Sequence, residues 1–148
     1  KWPNDVMVND AKVCGILIES PAETANANPR LVIGIGINVN NSWRGAPHDL
    51  AGRGIALCDV TGRTHDIIEV LVASLRQIEL RIRQLGAHDV ELQQAWQRRS
   101  WLTGHRVEIE LNGAVIRGEC VGIADDGALL VQTPAALRRF VSGTVRRV

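Results

Sequence analysis

The sequence KWPNDVMVNDAKVCGILIES, residues 1–20, predicts a β-hairpin, and the rest of the chain is interpreted outward from it. Two apolar, largely β-branched runs, Val6–Val8 and Val13–Ile18, are typical of strands. Asn9 and Asp10 lie between them and are residue types that tight turns favour. A hairpin of this kind holds the residues at its strand ends rigidly.

Two charged residues flank the predicted strands. Asp5 lies at the mouth of the first strand and Lys12 at the start of the second. A lysine ammonium held in place is a point charge that suits an anionic ligand, and phosphate above all. A lysine near a turn is more often a solvated surface residue, and on these residues alone both interpretations stay open.

A glycine-containing strand is predicted at Leu31–Asn40, LVIGIGINVN, after a polar surface loop over Pro21–Arg30. Gly34, Gly36 and Asn38 are spaced by two and therefore share one face of this strand. Glycine inside a strand marks the close approach of a neighbouring group or a ligand. The motif is too short for a nucleotide fingerprint, and no helix follows it as a dinucleotide-binding turn requires.

Two helices are predicted in the middle of the chain, after a loop and a short strand or extended segment at Ile55–Val60. The first runs from about His65 to Leu85, and the second from about Asp89 to Arg99. The first helix carries an apolar stripe with spacings of three and four, which predicts a face packed in the core. The stripe consists of Ile68, Leu71, Leu75, Ile78, Ile82 and Leu85.

Five short strands after Ser100 predict a small antiparallel barrel. Asn112-Gly113 is the strongest turn signal among them. We place a domain boundary near Trp101, so that residues 1–100 and 101–148 form two domains. The predicted strands are Arg106–Leu111, Ala114–Ala124, Ala128–Gln132, Arg138–Val141 and Thr144–Arg147.

The composition is that of an ordinary globular protein: 45% of the 148 residues are apolar, 22% are charged, and the net charge is +1. This balance gives no electrostatic footprint for nucleic acid or a membrane. Cys14, Cys58 and Cys120 are dispersed, so the sequence indicates no metal site and no redox pair. Without a recognisable signal peptide or membrane span, we expect a cytoplasmic protein.

Three ordered blocks carry a resemblance to a known family. They are KWPND at residues 1–5, K-x-x-G-I-L beginning at Lys12, and G-x-G-x-N from Gly34 to Asn38. Towards the end, Gly122-Ile123 and the run GALL at residues 127–130 match a G-I-x-x-x-G-A-L-L pattern. The chain resembles the biotin–protein ligases, densely over residues 1–40 and more loosely over residues 41–121.

The resemblance implies an α+β fold with a mixed β-sheet and helices. This would be a class II synthetase-like catalytic domain, incomplete at its N-terminus, followed by a small SH3-like β-barrel. The family activity is ATP-dependent: biotin is activated as biotinyl-5′-AMP and transferred to a lysine of a biotin carboxyl carrier protein. ATP and biotin are then substrates, and Mg²⁺ is expected. Some members pair through the edge of the catalytic sheet, so a homodimer is an expectation too.

The resemblance also implies roles for single residues. Lys12 matches the lysine that contacts the biotin carboxylate and the adenylate phosphate. Asp5 matches an acidic residue that orients or deprotonates the acceptor lysine, although a strand-start cap is the alternative. Trp2 is more often a packing residue than a substrate shelf. The other matched biotin- or adenylate-binding positions are Gly15, Ile16, Lys1, Asn4, Asn38 and Gly36.

Departures from the family pattern limit these implications. The glycine- and arginine-rich loop that members place before KWPND is not in the sequence, so we expect a fragment with little or no ligase activity alone. Gly143-Thr144-Val145 lacks the glutamate of the family's G-E-(V/I) step, and neither Arg146 nor Arg147 is assigned the role of the arginine that follows it. The sequence contains no recognisable DNA-binding helix-turn-helix motif, so it does not indicate the repressor activity of some family members.

Two alternatives stay open. A lipoate ligase-like acyltransferase shares the fold and a comparable lysine, although the KWPND block and the added barrel speak against it. A non-catalytic fragment that binds a protein partner is the other.

Overall fold

The structure, a computed structural model, describes residues 1–20, 30–87 and 90–148, and only the backbone of residue 93. Apart from Arg30, the predicted loop Pro21–Arg30 lies outside the described residues, as does Asp89. The chain forms two compact units, residues 4–72 and residues 1–3 with 73–148. The predicted domain boundary near Trp101 falls inside the second unit and stays a prediction.

The first unit contains a three-stranded sheet of β1 (Asp5–Val8), β2 (Ala11–Glu19) and β3 (Val32–Ile37), in that order. Both pairings are antiparallel, and an isolated parallel bridge joins Lys12 to Gly54. The expectation of a mixed sheet is therefore corrected to an antiparallel one for the described strands. Asn9 and Asp10 have positive φ values of 48° and 61°, as a tight hairpin turn requires.

A short helix, α1 (Leu57–Thr61), replaces part of the predicted strand or extended segment at Ile55–Val60. The carboxylate of Asp59 accepts the N–H of Ala56, the residue that precedes the helix, at 3.1 Å. Gly62 ends the helix with a φ of 72°. Both features are local caps that stabilise a helical turn, and the apolar run did not indicate them.

The two predicted helices are α2 (Ile67–Gly86) and α3 (Val90–Arg99). Asp66 caps α2 by accepting the N–H groups of Ile68 and Glu69. The prediction of a core-facing stripe is wrong for this chain, because α2 has no buried residue. Ile68 is 64% exposed and Leu75 56% exposed. No described helix is apolar enough, over a sufficient length, to span a membrane.

The C-terminal part is an antiparallel sheet of β4 (Arg106–Leu111), β5 (Ala114–Ile123), β6 (Leu129–Gln132), β7 (Leu137–Phe140) and β8 (Thr144–Arg147). The strand order is β7-β6-β5-β4-β8. The α+β class and the small β domain are thus confirmed. The strand pairing does not close a barrel, because β7 and β8 are not paired with each other in the described residues.

The core of the second unit lies on the inner face of this sheet. Val107 and Ile109 alternate with charged neighbours on β4, as a half-buried strand requires, and both are fully buried. Trp2 is 5% exposed, belongs to the same cluster, and donates its indole N–H to the carbonyl of Gly127 at 3.0 Å. The cluster also includes Leu102, Cys120, Ile123, Leu129, Val131, Phe140 and Val145.

Candidate active site

A β-bulge decides which face of the hairpin Lys12 occupies. Val6 pairs with Cys14 but Met7 pairs with Lys12, so Val13 is an extra residue on β2. Side chains alternate along a regular strand, and Lys12 and Gly15 would lie on opposite faces. The extra residue reverses this relation and brings Lys12 to the face that Asp5 and Gly15 share.

Lys12 and Asp5 form an ion pair on that face. The Lys12 Nζ lies 2.6 Å from Asp5 Oδ1, and their side chains are 46% and 15% exposed. Asp5 pairs across the sheet with Gly15. A Cβ at Gly15 would lie 3.0 Å from the Lys12 Nζ, so glycine leaves the room in which the ammonium sits. The carboxylate holds the ammonium in place while nearly half of the lysine side chain stays open to a ligand.

Beside this ion pair the sheet presents a row without side chains, which we call the glycine row: Gly15, Gly36 and Gly34. Gly15 pairs directly with Gly36, and Gly34 lies two residues further along the same face of β3. A Cβ built at Gly36 meets no atom of the described residues within 4 Å. The sheet backbone is therefore uncovered by side chains at Gly36, next to a fixed cation, and glycine inside a strand is typical of a close approach by another group.

The two predicted asparagines brace this region. Asn38 donates its side-chain N–H groups to the carbonyls of Lys12, at 3.4 Å, and Ile55, at 3.2 Å. The Asn38 side-chain oxygen accepts a hydrogen bond from Asn41 at 2.9 Å. The carbonyl of Asn4 accepts the N–H of Ile16 at 2.8 Å, and its side chain is exposed. The side-chain amide of Asn38 thus holds the backbone at the edge of the sheet.

The other predicted positions are placed less directly. Ile16 is half-buried on β2 and pairs with Ile35, one residue out of step with the glycine row. Lys1 is half-buried and belongs with Trp2 to the second compact unit. The role of Lys1 as an adenylate-binding residue stays a prediction.

A carboxylate that the motifs did not indicate, that of Asp59, lies in the short helix α1. Asp59 accepts hydrogen bonds from the Ser42 hydroxyl at 2.5 Å, the Trp43 N–H at 2.8 Å and the Ala56 N–H. These bonds, with the Ser42 hydroxyl first, hold the pKa of Asp59 below its usual range. In the sequence, Asp59 is distinguished only by its position four residues after Ile55. An acidic residue at such a spacing is too common to indicate a functional site.

The cysteine beside the site has a buried thiol. Cys14 is 8% exposed, and burial raises its pKa, although the nearby Lys12 ammonium opposes the shift. No group of three or more His, Cys, Asp or Glu side chains suited to a metal ion occurs among the described residues.

The two C-terminal arginines are engaged within their own unit. Arg146 Nε lies 3.3 Å from a carboxylate oxygen of Glu108. The Arg147 guanidinium lies over the ring of Trp101, 4.2 Å from its centre. Each therefore has a partner in the C-terminal part of the chain.

Residues 103–146 match a family model described as the biotin protein ligase C terminal domain. The chain is 30% identical over 146 residues to the bifunctional ligase/repressor BirA of Bacillus spizizenii, covering 98% of this chain and 45% of that protein. It is 34% identical over 126 residues to the biotin–[acetyl-CoA-carboxylase] ligase of Mycobacterium tuberculosis, covering 85% and 42%. The chain thus spans less than half the length of these relatives.

Solved structures extend the likeness to the whole chain. A crystal structure of the biotin protein ligase from Aquifex aeolicus aligns with a TM-score of 0.86 at 29% identity, covering 99% of this chain and 64% of that one. The same ligase in complex with biotin and ATP aligns with a TM-score of 0.82 at 29% identity, covering 99% and 61%. Sequence blocks, fold and relatives agree: the chain belongs to the biotin protein ligase family.

Proposed function

We propose that this chain is the phosphate-side part of an ATP-dependent biotin ligase, an enzyme that attaches biotin to a lysine of a biotin carboxyl carrier protein. The observation that carries the proposal is the Lys12–Asp5 ion pair, 2.6 Å long, beside the open glycine row. A fixed ammonium next to bare sheet backbone is suited to an extended anionic ligand. The solved relative that holds biotin and ATP adds support.

In the first proposed step, a carboxylate oxygen of biotin attacks the α-phosphorus of ATP. The bond from that phosphorus to the bridging oxygen breaks, pyrophosphate leaves, and biotinyl-5′-adenylate forms. Two anions must approach each other, so a fixed cation lowers the barrier by reducing their repulsion. Lys12 supplies that charge, because its ammonium faces the glycine row side of the sheet.

In the second proposed step, the ε-amine of the acceptor lysine attacks the carbonyl carbon of the adenylate. The bond from that carbon to the AMP oxygen breaks, and an amide forms. The acceptor must first give up a proton, and Asp5 is the carboxylate placed to orient the amine or take that proton. Asp5 is paired with Lys12 in the structure, and we propose that an anionic ligand competes with Asp5 for the ammonium.

The remaining assignments follow the same layout. We propose that Gly15 and Gly36 let the ligand approach the backbone, and that Ile16 contributes to the biotin side. Asn38 would act through its hydrogen bonds to the carbonyls of Lys12 and Ile55. The binding roles proposed for Lys1 and Asn4 rest on their match to the KWPND motif.

Mg²⁺ is proposed as part of the substrate, bound to the triphosphate of ATP. Magnesium sites of this kind use one or two protein carboxylates and the phosphates rather than a cage of side chains. The described residues contain no cluster of three suitable side chains, so they offer no resident magnesium cage.

We propose that the chain needs the portion of the ligase it does not span. The Bacillus spizizenii relative is more than twice as long, and large apolar surfaces are exposed on β2, β3 and α2. Leu17, Ile18 and Val32 are each more than half exposed. Surfaces of this size are covered in stable proteins, so ligase activity of the chain alone would be low. A cytoplasmic location and a homodimer remain proposals.

Titration with biotinyl-5′-adenylate tests the proposed function. The natural full-length protein is compared with this chain alone, and each with its Lys12→Ala variant. Micromolar or tighter binding that Lys12→Ala weakens supports the proposal. Intact folding with no binding of the adenylate by the full-length protein overturns it. Preference for lipoyl-adenylate over biotinyl-adenylate would instead favour the lipoate ligase alternative.

A further inference from the structure

Resting on the proposed function, we propose that Asp59 is a positioning residue for Lys12. Its carboxylate clamps the loop at Ser42–Trp43 against the segment Arg53–Ala56, and this segment fixes the backbone of Lys12. The contacts form a chain of three steps, all within the compact unit of residues 4–72.

The first step is the clamp itself. One oxygen of Asp59 accepts the Ser42 hydroxyl, and the other accepts the N–H groups of Trp43 at 2.8 Å and Ala56 at 3.1 Å. The side chain is only 8% exposed. By accepting three hydrogen bonds, the carboxylate links the loop at Ser42–Trp43 to the segment Arg53–Ala56. In the described residues no strand pairing links this loop to this segment.

The second step is the contact between Trp43 and Gly54. A Cβ built at Gly54 would overlap the indole ring of Trp43, so the ring lies directly against the backbone of this residue. Any larger residue at position 54 would push the ring or the segment away. Asp59 holds the N–H of Trp43, and thereby the start of the side chain that covers Gly54.

The third step reaches Lys12. Its N–H donates to the carbonyl of Arg53 at 3.1 Å, and its carbonyl accepts the N–H of Ile55 at 3.0 Å. Asn38 donates to the carbonyls of both Lys12 and Ile55. Hydrogen bonds to the segment Arg53–Ala56 therefore fix the backbone of Lys12, while its ammonium binds the carboxylate of Asp5.

Loss of the Asp59 carboxylate leaves the charge of Lys12 intact but loosens its position. A catalytic or binding group misplaced by about 1 Å can cost up to about 100-fold. Asp59→Asn keeps the size of the side chain but presents an N–H₂ group to donors. We expect its affinity for biotinyl-5′-adenylate to fall about tenfold or more.

A double-mutant cycle in the natural full-length protein tests this coupling, with calorimetric titration of biotinyl-5′-adenylate. If Asp59 acts through Lys12, Asp59→Asn weakens binding about tenfold alone but less than twofold when Lys12 is already alanine. Equal losses in both backgrounds would mean a merely structural role and overturn the proposal. Asp66→Asn is the matched control, since Asp66 also accepts two N–H groups at a helix start, and its affinity should match the wild type.

The outcomes separate this proposal from the proposed function. Wild-type protein that binds, a Lys12→Ala variant that binds weakly and an Asp59→Asn variant that binds like wild type would overturn the positioning role alone. Wild-type protein that does not bind overturns both. If Asp59→Asn does not fold, Ser42→Ala removes only one of the three hydrogen bonds and should show a smaller loss with the same dependence on Lys12.

Discussion

Replacing Lys12 with alanine is expected to weaken the binding of biotinyl-5′-adenylate without unfolding the protein. The ammonium is held 2.6 Å from Asp5 and is 46% exposed, so it is fixed and accessible. A hydrogen bond to a charged group contributes about 1.5–3 kcal/mol, which corresponds to a loss of about 10- to 150-fold in affinity. The half-exposed ion pair itself contributes at most about 1 kcal/mol to stability.

Isothermal titration of the full-length protein measures the affinity, and urea unfolding measures the stability. Lys12→Arg keeps the charge and should recover part of the affinity. Arg83→Ala breaks a comparable exposed ion pair with Glu79, also 2.6 Å long, and should leave binding unchanged. An affinity for Lys12→Ala within threefold of wild type, with the fold intact, would refute the role given to this ammonium.

Three further predictions address the glycine row, the C-terminal sheet and Asp59. Gly36→Ala should change the free energy of unfolding by less than about 1 kcal/mol, because its Cβ enters open space. The same variant should weaken adenylate binding about tenfold or more, and an unchanged affinity would show that the ligand does not lie on the glycine row. Gly118→Ala should lower the unfolding free energy by about 1–3 kcal/mol in urea titrations, because its Cβ would lie 2.5 Å from the carbonyl oxygen of Gln132; wild-type stability would contradict this packing. The lowered pKa of Asp59 stabilises the fold above the unfolded aspartate pKa of about 3.9, and this stabilisation is lost as the pH falls through the lower folded value. The stability difference between wild type and Asp59→Asn should therefore shrink on acidification, and a constant difference between pH 6 and about pH 2 would show that the charge is not involved.

Much of the local structure follows from short-range patterns. Asn9-Asp10 and Asn112-Gly113 both form tight turns with positive φ, because few other residue pairs adopt that conformation at low cost. On β4, Val107 and Ile109 alternate with charged residues, which is the pattern of a half-buried strand, and both are fully buried. Each of these predictions depends on residues within a few positions of one another.

The apolar stripe of α2 shows what such short-range patterns do not predict. Its spacing predicts an amphipathic helix, and the helix is present, but Ile68 and Leu75 are more than half exposed. Periodicity identifies the face that needs a partner and carries no information on where that partner is. In a chain that spans only 45% of the Bacillus spizizenii relative, a face can be correctly identified and still be exposed.

By itself, the sequence determined the hairpin, the C-terminal strands and the resemblance to the family, and it indicated Lys12 and Asp5 as candidate site residues. Only the tertiary structure decided that the two meet, because the bulge at Val13 reverses the face of Lys12 and depends on the pairing of β1 with β2. The Asp59 clamp was likewise invisible to local patterns. Its hydrogen bonds join residues up to 17 positions apart, and a distance of that kind is set by the folded chain rather than by spacing along it.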